Sequence, residues 1–305
     1  RHAMARSVLL VLAIACPALA MRVLVTGAGG RTGKLVFEQL KAEAAFTPVG
    51  LARSKKAFKA LRKVGAADDE IVRADATRFE ELTAAMDGCG GVVLCTSAVP
   101  KIRPLSILKL LVKKSILRSK DPGRPLFRFV SGGTPEEIDW IGAKLQVDAA
   151  KAAGVKHFVF VSSMGGTQPE NFLNSIGRQR DGSGGDILLW KRKAERYLIE
   201  SGLRYTIVHP GGLVDEPATE GALVVDVDDK LLERKSRQVP RADVARVCCA
   251  ALREPAARNK SFDLASSAKG EGEPTVEAGT VFEQLGERSC DYSTVLPDPP
   301  SIFAK

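Results

Sequence analysis

The chain has 305 residues, of which 45% are apolar and 27% charged, and its formal net charge is +9 at neutral pH. This composition excludes a disordered, collagen-like or coiled-coil protein and is typical of a globular chain with one large α/β domain or two smaller ones. The positive charge is local, because residues 101–128 contain nine Lys or Arg side chains and one Asp. Proteins that coat nucleic acid usually spread basic residues over a whole face, so we expect no nucleic-acid partner.

The N-terminus resembles a secretory signal over residues 4–20. Arg6 precedes an apolar run that is too short to span a bilayer, and small residues follow up to Ala20. Residues 1–20 are therefore predicted to be either a cleaved signal or an upstream extension before a true start at Met21. The scattered cysteines fit a reducing compartment, which favours a soluble protein of the cytoplasm or a plastid.

Short apolar runs alternate with amphipathic segments over residues 21–265. The runs predict strands at 23–26, 47–52, 71–74, 91–96, 157–162 and 205–209. The amphipathic segments predict helices at 33–44, 79–86, 138–153 and 191–201. Continuous apolar strands separated by helices indicate an α/β fold with a doubly wound parallel sheet. Residues 266–305 are rich in Gly, Ser, Glu and then Pro, which predicts a flexible C-terminal tail.

A glycine-rich loop joins the first predicted strand to the first predicted helix. Gly27 permits a tight turn, Gly30 lets the backbone approach a diphosphate, and Gly33 lets the helix pack on the strand. Arg31 and Thr32 open the helix, whose N-terminal dipole then faces the phosphates. The place of this loop between strand and helix predicts nucleotide binding rather than an ordinary glycine-rich turn.

The residues after the second predicted strand indicate which nucleotide binds. An acidic residue there would accept hydrogen bonds from the ribose 2′-hydroxyl of NAD and would repel the 2′-phosphate of NADP. This chain has Arg53 at that place, and Arg31 projects toward it from the glycine loop. Each guanidinium would contribute about 1.5–3 kcal/mol to binding a phosphate, so NADP is the predicted cofactor. The alternative is a solvated basic turn.

Polar residues follow the next two predicted strands. Asp75 is expected near the adenine amino group, although a helix cap at Thr77 explains this polar pair equally well. Thr96, Ser97 and Ala98 are expected to line the nicotinamide side of the site. The three His and six Cys residues show no ligand spacing, so no metal site is predicted.

Taken together, these motifs resemble the atypical short-chain dehydrogenase/reductase family, and closely an NmrA-like plant group that binds NADP. The similar segments cover about residues 21–266 and are 25–33, 96–100, 139–142, 162–166, 190–195 and 210–212. The resemblance implies a single Rossmann-fold domain, NADP(H) as cofactor and an oxidoreductase activity.

The resemblance also points to a missing catalytic residue. Reductases of the wider family carry a Tyr four residues before a Lys; the Tyr protonates the substrate carbonyl and the Lys holds the nicotinamide ribose. The family Lys falls on Lys191, but the Tyr position is Ile187, which cannot transfer a proton. Lys191 can still bind ribose, the alternative being a solvent-facing helix lysine. Asp139 falls near the family's helix asparagine.

Other groups can serve near the reacting centre. Ser162 and Ser163 end the fifth predicted strand, where the resemblance places the substrate-orienting hydroxyl. His209 is a further candidate proton donor, but its place at the end of a buried strand favours a structural role. Pro210 and Gly211 are expected to approach the nicotinamide and its phosphate. The candidate catalytic residues are Ser162, Ser163 and Lys191.

Residues 101–128 form a basic insertion with three interpretations. It is a solvated insertion whose apolar side packs on the domain, a lid over the substrate cleft, or a helix whose residues 101–120 contact an anionic membrane surface. Lys114 and Arg118 interrupt its apolar face, which favours the first interpretation.

Two functions follow from the sequence. The first is an NADP(H)-dependent reductase that acts on a small carbonyl or quinone-like substrate without the usual Tyr. The second is a sensor or partner-binding protein in which NADP regulates shape without turnover. A sugar-nucleotide- or lipid-modifying enzyme is a third reading, which the missing Tyr disfavours. The expected partners are NADP(H) and a small-molecule substrate.

Overall fold

A computed structural model describes residues 20–115, 118, 123–268 and 270–303. The strands are β1 (Met21–Thr26), β2 (Phe46–Leu51), β3 (Ile71–Val72), β4 (Gly91–Leu94), β5 (Lys101–Ile102), β6 (Phe127–Arg128), β7 (His157–Val161), β8 (Tyr205–Pro210), β9 (Gly212–Val214), β10 (Leu223–Asp226), β11 (Gln238–Pro240) and β12 (Lys260–Ser266). The helices are α1 (Arg31–Ala42), α2 (Lys55–Lys63), α3 (Phe79–Met86), α4 (Pro104–Ser115), α5 (Ala143–Ala152), α6 (Phe172–Ser175), α7 (Ile187–Glu200), α8 (Arg241–Arg253) and α9 (Thr280–Leu285).

Eight strands form the central sheet, in the order β10-β12-β8-β7-β4-β1-β2-β3. The strands from β12 to β3 are parallel, and β10 runs antiparallel to β12. Each of the six predicted strands is present, with ends that differ by up to two residues. The predicted α/β fold with a doubly wound parallel sheet is therefore confirmed.

Apolar side chains cover both faces of this sheet. On one face, α1 and α8 bury Phe37, Leu40 and Val247 against the strands. On the other face, α3, α5 and α7 bury their own apolar stripes, which include Leu82 and Leu198. Burial on both faces explains why the central strands read as continuous Val, Leu and Phe runs rather than as alternating patterns.

The strand order reverses at β1, which lies between β4 and β2. Ligands of doubly wound sheets bind at the carboxyl ends of the strands where the order reverses, because the loops diverge there and leave a crevice. A π-helical segment, Glu136–Gly142, precedes α5 and reaches the same crevice, since Ile138 and Gly142 line it.

The basic insertion does not pack its apolar side on the domain, so that expectation is wrong. Of the α4 side chains, only that of Ser106 is buried, whereas Leu105, Leu108 and Leu111 are exposed. The helix is attached through the short hairpin of β5 and β6. The buried residue Ser106 is polar and its apolar neighbours are exposed. Periodicity alone therefore led to the wrong prediction of which side chains of α4 are buried.

Part of the segment predicted as a flexible C-terminal tail, residues 266–305, packs into the core. Helix α9 buries Val281, Phe282 and Leu285 in the core, and the ring of Phe282 meets that of Phe262 edge to face at 5.7 Å. These apolar residues are spaced as one helical face, which the Gly, Ser and Glu around them obscured.

The predicted segment 1–20 lies outside the described residues, apart from Ala20. Within the described part of the chain, no helix combines the length and the apolar character that crossing a bilayer requires.

Candidate functional site

A cleft of about 390 Å³ opens at the carboxyl ends of β1, β2 and β4. Eight of the predicted cofactor-binding residues line it together, which are Gly27, Gly30, Arg31, Thr32, Gly33, Arg53, Thr96 and Ser97. Lining residues from seven separate chain segments therefore meet where the reversal of strand order predicts a ligand site.

The glycine loop leaves no room for side chains on its inner side. Gly27 has φ +67°, and a Cβ there would stand 2.7 Å from the carbonyl carbon of Cys95. A Cβ on Gly33 would stand 2.4 Å from the carbonyl oxygen of Gly27. The loop thus brings backbone, rather than side chains, to the cleft, as a bound diphosphate requires.

The N-terminus of α1 is suited to an anion. Gly30 caps this helix without a side-chain hydrogen bond, and its first turn contains no acidic residue. The amides of the first turn therefore point into the cleft with the positive end of the helix dipole. Together with the space left by the glycines, this arrangement fits the diphosphate of a dinucleotide.

Three arginines line the cleft. Arg53 and Arg241 line it with Arg31, but Arg31 Nη1 lies 3.2 Å from Asp215 Oδ2. The other oxygen of Asp215 accepts a hydrogen bond from Arg241 at 2.7 Å. Three cations and one carboxylate leave a local charge of +2. Arg241 was not predicted, because its position at the start of α8 joins the cleft only through the tertiary fold.

Asp75 is held in a local turn with Thr77, but the helix cap predicted at Thr77 is wrong, because the N-cap of α3 is Arg78 and no side chain caps that helix. Its carboxylate accepts hydrogen bonds from the Thr77 backbone N–H at 3.0 Å and from Thr77 Oγ1 at 2.8 Å. Ala76 and Thr77 line the cleft, while Asp75 does not. A side chain that already accepts two hydrogen bonds in its own turn has less capacity left for an adenine amino group.

Lys191 is not a solvent-facing lysine. Its Nζ lies 2.8 Å from Asp139 Oδ1, and both side chains are buried. The second oxygen of Asp139 accepts a hydrogen bond from the Ala98 backbone N–H at 3.1 Å. Cys95 lines the cleft close by; burial raises the pKa of its thiol to about 12, which the positive charge of Lys191 only partly offsets. Through Ala98, the ion pair therefore fixes the segment after β4, whose neighbouring residues Ser97 and Val99 line the cleft.

The two candidate serines have different surroundings at the end of β7. Ser162 is buried and its hydroxyl donates to Glu195 Oε1. Ser163 is half-buried, and its hydroxyl donates to the Met164 carbonyl at 3.2 Å. The Ser162 proton is thus committed to a carboxylate, whereas the Ser163 hydroxyl makes only a long hydrogen bond to a neutral acceptor.

Behind these serines lies a buried cluster of Glu195, His209, Asp263 and Tyr292. The His209 ring lies between two carboxylates, with Nε2 3.3 Å from Glu195 and Nδ1 3.3 Å from Asp263. The Tyr292 hydroxyl donates to Glu195 Oε2 at 2.9 Å. The C-terminal segment, which supplies Tyr292, thereby closes a network that joins α7, β8 and β12.

The buried cluster shifts the pKa values of its members. Burial opposes charge on both groups, but the negative charge of Glu195 outweighs it and raises the pKa of His209 well above its usual value. In return, the charge and hydrogen bond of His209 hold the pKa of Glu195 at about 2 despite burial. Burial, reinforced by Glu195, raises the pKa of Tyr292 well above its usual range. These shifts favour a structural ion pair between His209 and Glu195.

His209, Asp263 and Cys290 also bring three potential ligand atoms within 4.8 Å of one another. The raised pKa of His209 favours the protonated imidazole, which pairs with Glu195 and Asp263.

Pro210 and Gly211 pack against other backbone segments of the protein rather than against the cleft. A Cβ on Gly211 would stand 1.9 Å from the carbonyl oxygen of Arg237, and the Gly211 N–H donates to Leu264 at 2.9 Å. The Pro210 carbonyl accepts from the Met164 N–H at 3.2 Å. Neither residue lines the cleft, so the close packing that demands a glycine here joins β9 to β11.

Comparisons with known proteins agree with this geometry. A family model described as NAD(P)H-binding matches residues 27–255. A chloroplastic protein of Arabidopsis thaliana is 43% identical over 269 residues, which are 87% of this chain and 75% of that protein. Sanguinarine reductase of Eschscholzia californica is 39% identical over 272 residues, which are 87% of this chain and 96% of the relative.

A solved structure from Bacillus halodurans, described as an NAD-dependent epimerase/dehydratase, is 26% identical and has a TM-score of 0.62. The alignment covers 87% of this chain and 100% of that structure. The chain therefore belongs to the NAD(P)H-binding Rossmann family of atypical short-chain dehydrogenases/reductases.

Proposed function

We propose that this protein is an NADPH-dependent reductase of small, electron-poor acceptors such as quinones. The observation that carries the cofactor choice is the net positive charge of the cleft, where Arg53, Arg31 and Arg241 outnumber Asp215. A 2′-phosphate is a dianion with geometry that guanidinium groups match well. The similarity to sanguinarine reductase supports reduction as the reaction.

Different residues would bind different parts of the cofactor. The Gly27–Gly33 loop and the N-terminus of α1 would hold the diphosphate, and Arg53 with Arg31 the 2′-phosphate. Thr96 and Ser97 would face the nicotinamide, and Lys191, held by Asp139, its ribose. Bound NADPH would supply a hydride at this end of the cleft.

The weak proton donors of the site restrict which substrates can accept the hydride. Ile187 cannot protonate a substrate, and the Ser162 hydroxyl is committed to Glu195. We assign the Ser163 hydroxyl as the hydrogen-bond donor that orients the acceptor oxygen. A serine hydroxyl is a weak acid, so it stabilises a developing anion poorly unless conjugation spreads the charge. Quinones meet this condition, because hydride addition gives a hydroquinone anion that takes its proton from water.

A second candidate function is an NADP-dependent sensor without turnover. The observation in its favour is again Ile187, together with the buried Lys191–Asp139 pair, which holds the cleft wall whether or not chemistry occurs. The chloroplastic location in the names of two relatives supports a plastid compartment for either function.

The experiment that tests the proposal measures binding and turnover separately. Calorimetric titration should show tighter binding of NADPH than of NADH. The absorbance of NADPH should then fall in the presence of quinones but not of simple ketones. Binding of NADPH without oxidation by any quinone would favour the sensor, and equal affinity for NADH would contradict the arginine assignment.

Two variants make the turnover test specific. Ser163→Ala should lose quinone reduction while keeping NADPH affinity, and Ser175→Ala, an exposed serine on α6, serves as the control. Ile187→Tyr should extend turnover to simple ketones, because it restores a phenol four residues before Lys191. Full activity of Ser163→Ala would exclude its assigned role.

A further inference from the structure

Helix α4 of the basic insertion buries one polar side chain, that of Ser106, and exposes its apolar side chains. Ser106 is buried, where its hydroxyl donates to the Arg103 carbonyl at 2.6 Å and accepts from the Leu126 N–H at 3.0 Å. On the outer side, the exposed fractions of Leu105, Leu108 and Leu111 are 73%, 59% and 57%. Helices that pack on a protein core show the reverse orientation, so this one is arranged to meet something outside the chain.

The outward residues form one continuous sector. At about 100° per residue, the five exposed apolar side chains of α4 fall within a sector of about 160°, and Ser106 lies opposite its middle. The five side chains are Leu105, Ile107, Leu108, Leu111 and Val112. Lys109 and Lys114, both exposed, stand at the two borders of this sector. An apolar sector with a lysine at each edge is the pattern of a helix that lies in a membrane interface.

The apolar surface continues beyond the helix. Leu126, with an exposed fraction of 58%, lines a groove together with Leu105, and Lys109 and Arg128 line the same groove. Ile102, in the attached hairpin, is exposed as well. Exposed apolar and cationic groups therefore lie side by side on the described part of the insertion.

We propose that helix α4 and the hairpin of β5 and β6 form an interfacial anchor that binds anionic lipid membranes. Helix α4 would lie parallel to the membrane, with its leucines at the acyl boundary and its lysines at the level of the lipid phosphates. Its 12 residues span about 18 Å, less than the roughly 30 Å of a bilayer core, so it binds the surface without crossing.

Charge argues for lipid over the other occupants of this surface. A second copy of the chain would bring a segment with nine basic residues and one acid against an identical segment, and the two would repel. A lid closed over the cleft would bury its apolar side chains, whereas the five apolar side chains of α4 named above are exposed. An anionic membrane would bury the leucines among its acyl chains and would pair its phosphates with the lysines. This proposal does not depend on the proposed reductase function.

The test is cosedimentation of the full chain with vesicles. The protein should bind vesicles of phosphatidylcholine with phosphatidylglycerol and should bind vesicles of phosphatidylcholine alone much more weakly. Replacement of three leucines together, Leu105→Ser, Leu108→Ser and Leu111→Ser, should lower binding at least about tenfold. Because these side chains are exposed, the variant should keep the unfolding transition and NADPH affinity of the parent chain.

A pair of charge reversals separates the lysine contribution. Lys109→Glu with Lys114→Glu should lower binding to anionic vesicles at least about tenfold. The matched control is Lys59→Glu with Lys63→Glu, the same charge change on α2, whose lysines are also exposed but border no exposed apolar sector. The control pair should keep most of the binding.

Three results would overturn the proposal. The first is a chain that stays in the supernatant with anionic vesicles at low salt. The second is equal binding by the triple leucine variant. The third is a dimer of the parent chain that the leucine substitutions convert to a monomer, without any lipid binding, which would assign the surface to a second copy.

Discussion

The cofactor cleft and the buried cluster lie side by side at the carboxyl end of the sheet, yet they are held together by different means. The inner wall of the cleft is backbone, shaped by the left-handed turn at Gly27 and the close contact at Gly33. The buried cluster is made of side-chain charges, with His209 between Glu195 and Asp263. Steric fit therefore governs the first region, and protonation governs the second.

This difference teaches which perturbations each region tolerates. A change of pH leaves the path of the glycine backbone unaltered but alters the charges on which the cluster depends. A single methyl group at Gly27 disturbs the cleft without touching the cluster. Substitutions and pH changes can thus be chosen to act on one region at a time.

The largest expected effect is that of Gly27→Ala on cofactor binding. The new Cβ would stand 2.7 Å from the Cys95 carbonyl carbon, so the loop must move away from its present path. Because the diphosphate depends on that path, NADPH affinity should fall at least about 100-fold in a calorimetric titration.

Gly88→Ala is the matched control for this substitution. Gly88 has φ +66°, nearly that of Gly27, but a Cβ there would meet nothing within 4 Å. Both variants carry similar backbone strain, of about 1–2 kcal/mol, and only the first carries the clash. If Gly27→Ala bound NADPH within a few-fold of the parent chain, the loop would not be the diphosphate site.

The sequence predicted the cleft well because the information there is local. Gly27, Gly30 and Gly33 lie within seven residues, and their strand and helix are adjacent in the chain. The same argument placed Arg53 and Thr96 at strand ends, since parallel strands bring their carboxyl ends to one edge. Arg241 was missed because nothing near it in sequence indicates that α8 begins beside the glycine loop.

The buried cluster could not be predicted in the same way. Tyr292 meets Glu195 across 97 positions, and His209 meets Asp263 across 54. Each residue alone has an ordinary explanation as a helix, strand or tail residue, and only the packing of the C-terminal segment joins them. The packing of the basic insertion was predicted wrongly for another reason. Amphipathic periodicity gives the width of an apolar sector but not whether that sector is buried or exposed.

A somewhat smaller effect is expected for Arg53, to which the proposal assigns the 2′-phosphate. Arg53→Ala should weaken NADPH binding about 10- to 100-fold, because it removes a charge-assisted contact to the 2′-phosphate, and should leave NADH binding unchanged. Lys56→Ala is the control, since Lys56 is exposed nearby and does not line the cleft. An equal loss for NADH would mean that Arg53 acts on the loop and not on the phosphate.

The ion pair of the buried cluster should make the free energy of unfolding depend on pH. The pKa of His209 is raised in the folded chain, so its stabilising contribution is complete below pH 6.5 and is lost as pH rises toward the folded value. His157 is the natural comparison, because burial and two nearby arginines lower its pKa to about 4. Its contribution is therefore lost as pH falls from about 6.5 to about 4.

Urea unfolding at a series of pH values separates the two histidines. Relative to each variant, the parent chain should lose up to about 1.4 kcal/mol per pH unit above pH 6.5 through His209, and below pH 6.5 through His157. His209→Gln should flatten only the alkaline limb, and His157→Gln only the acidic one. A parent chain whose stability is constant above pH 6.5 would contradict the ion pair in the buried cluster.

The smallest expected effect concerns the carboxylate at the edge of the cleft. Asp215 holds Arg31 at 3.2 Å, but both side chains are largely exposed, so solvent screens this pair. Asp215→Asn should release Arg31 toward the 2′-phosphate and raise NADPH affinity by no more than about threefold, with NADH affinity unchanged. Glu216→Gln removes the same charge one residue further on without breaking the Arg31 pair, so it controls for general electrostatics. A fall in NADPH affinity on Asp215→Asn would instead mean that the carboxylate positions Arg31 for the phosphate. In that case a side-chain ion pair would contribute to the geometry of the cleft, as one does in the buried cluster, and the contrast between the two regions would be narrower.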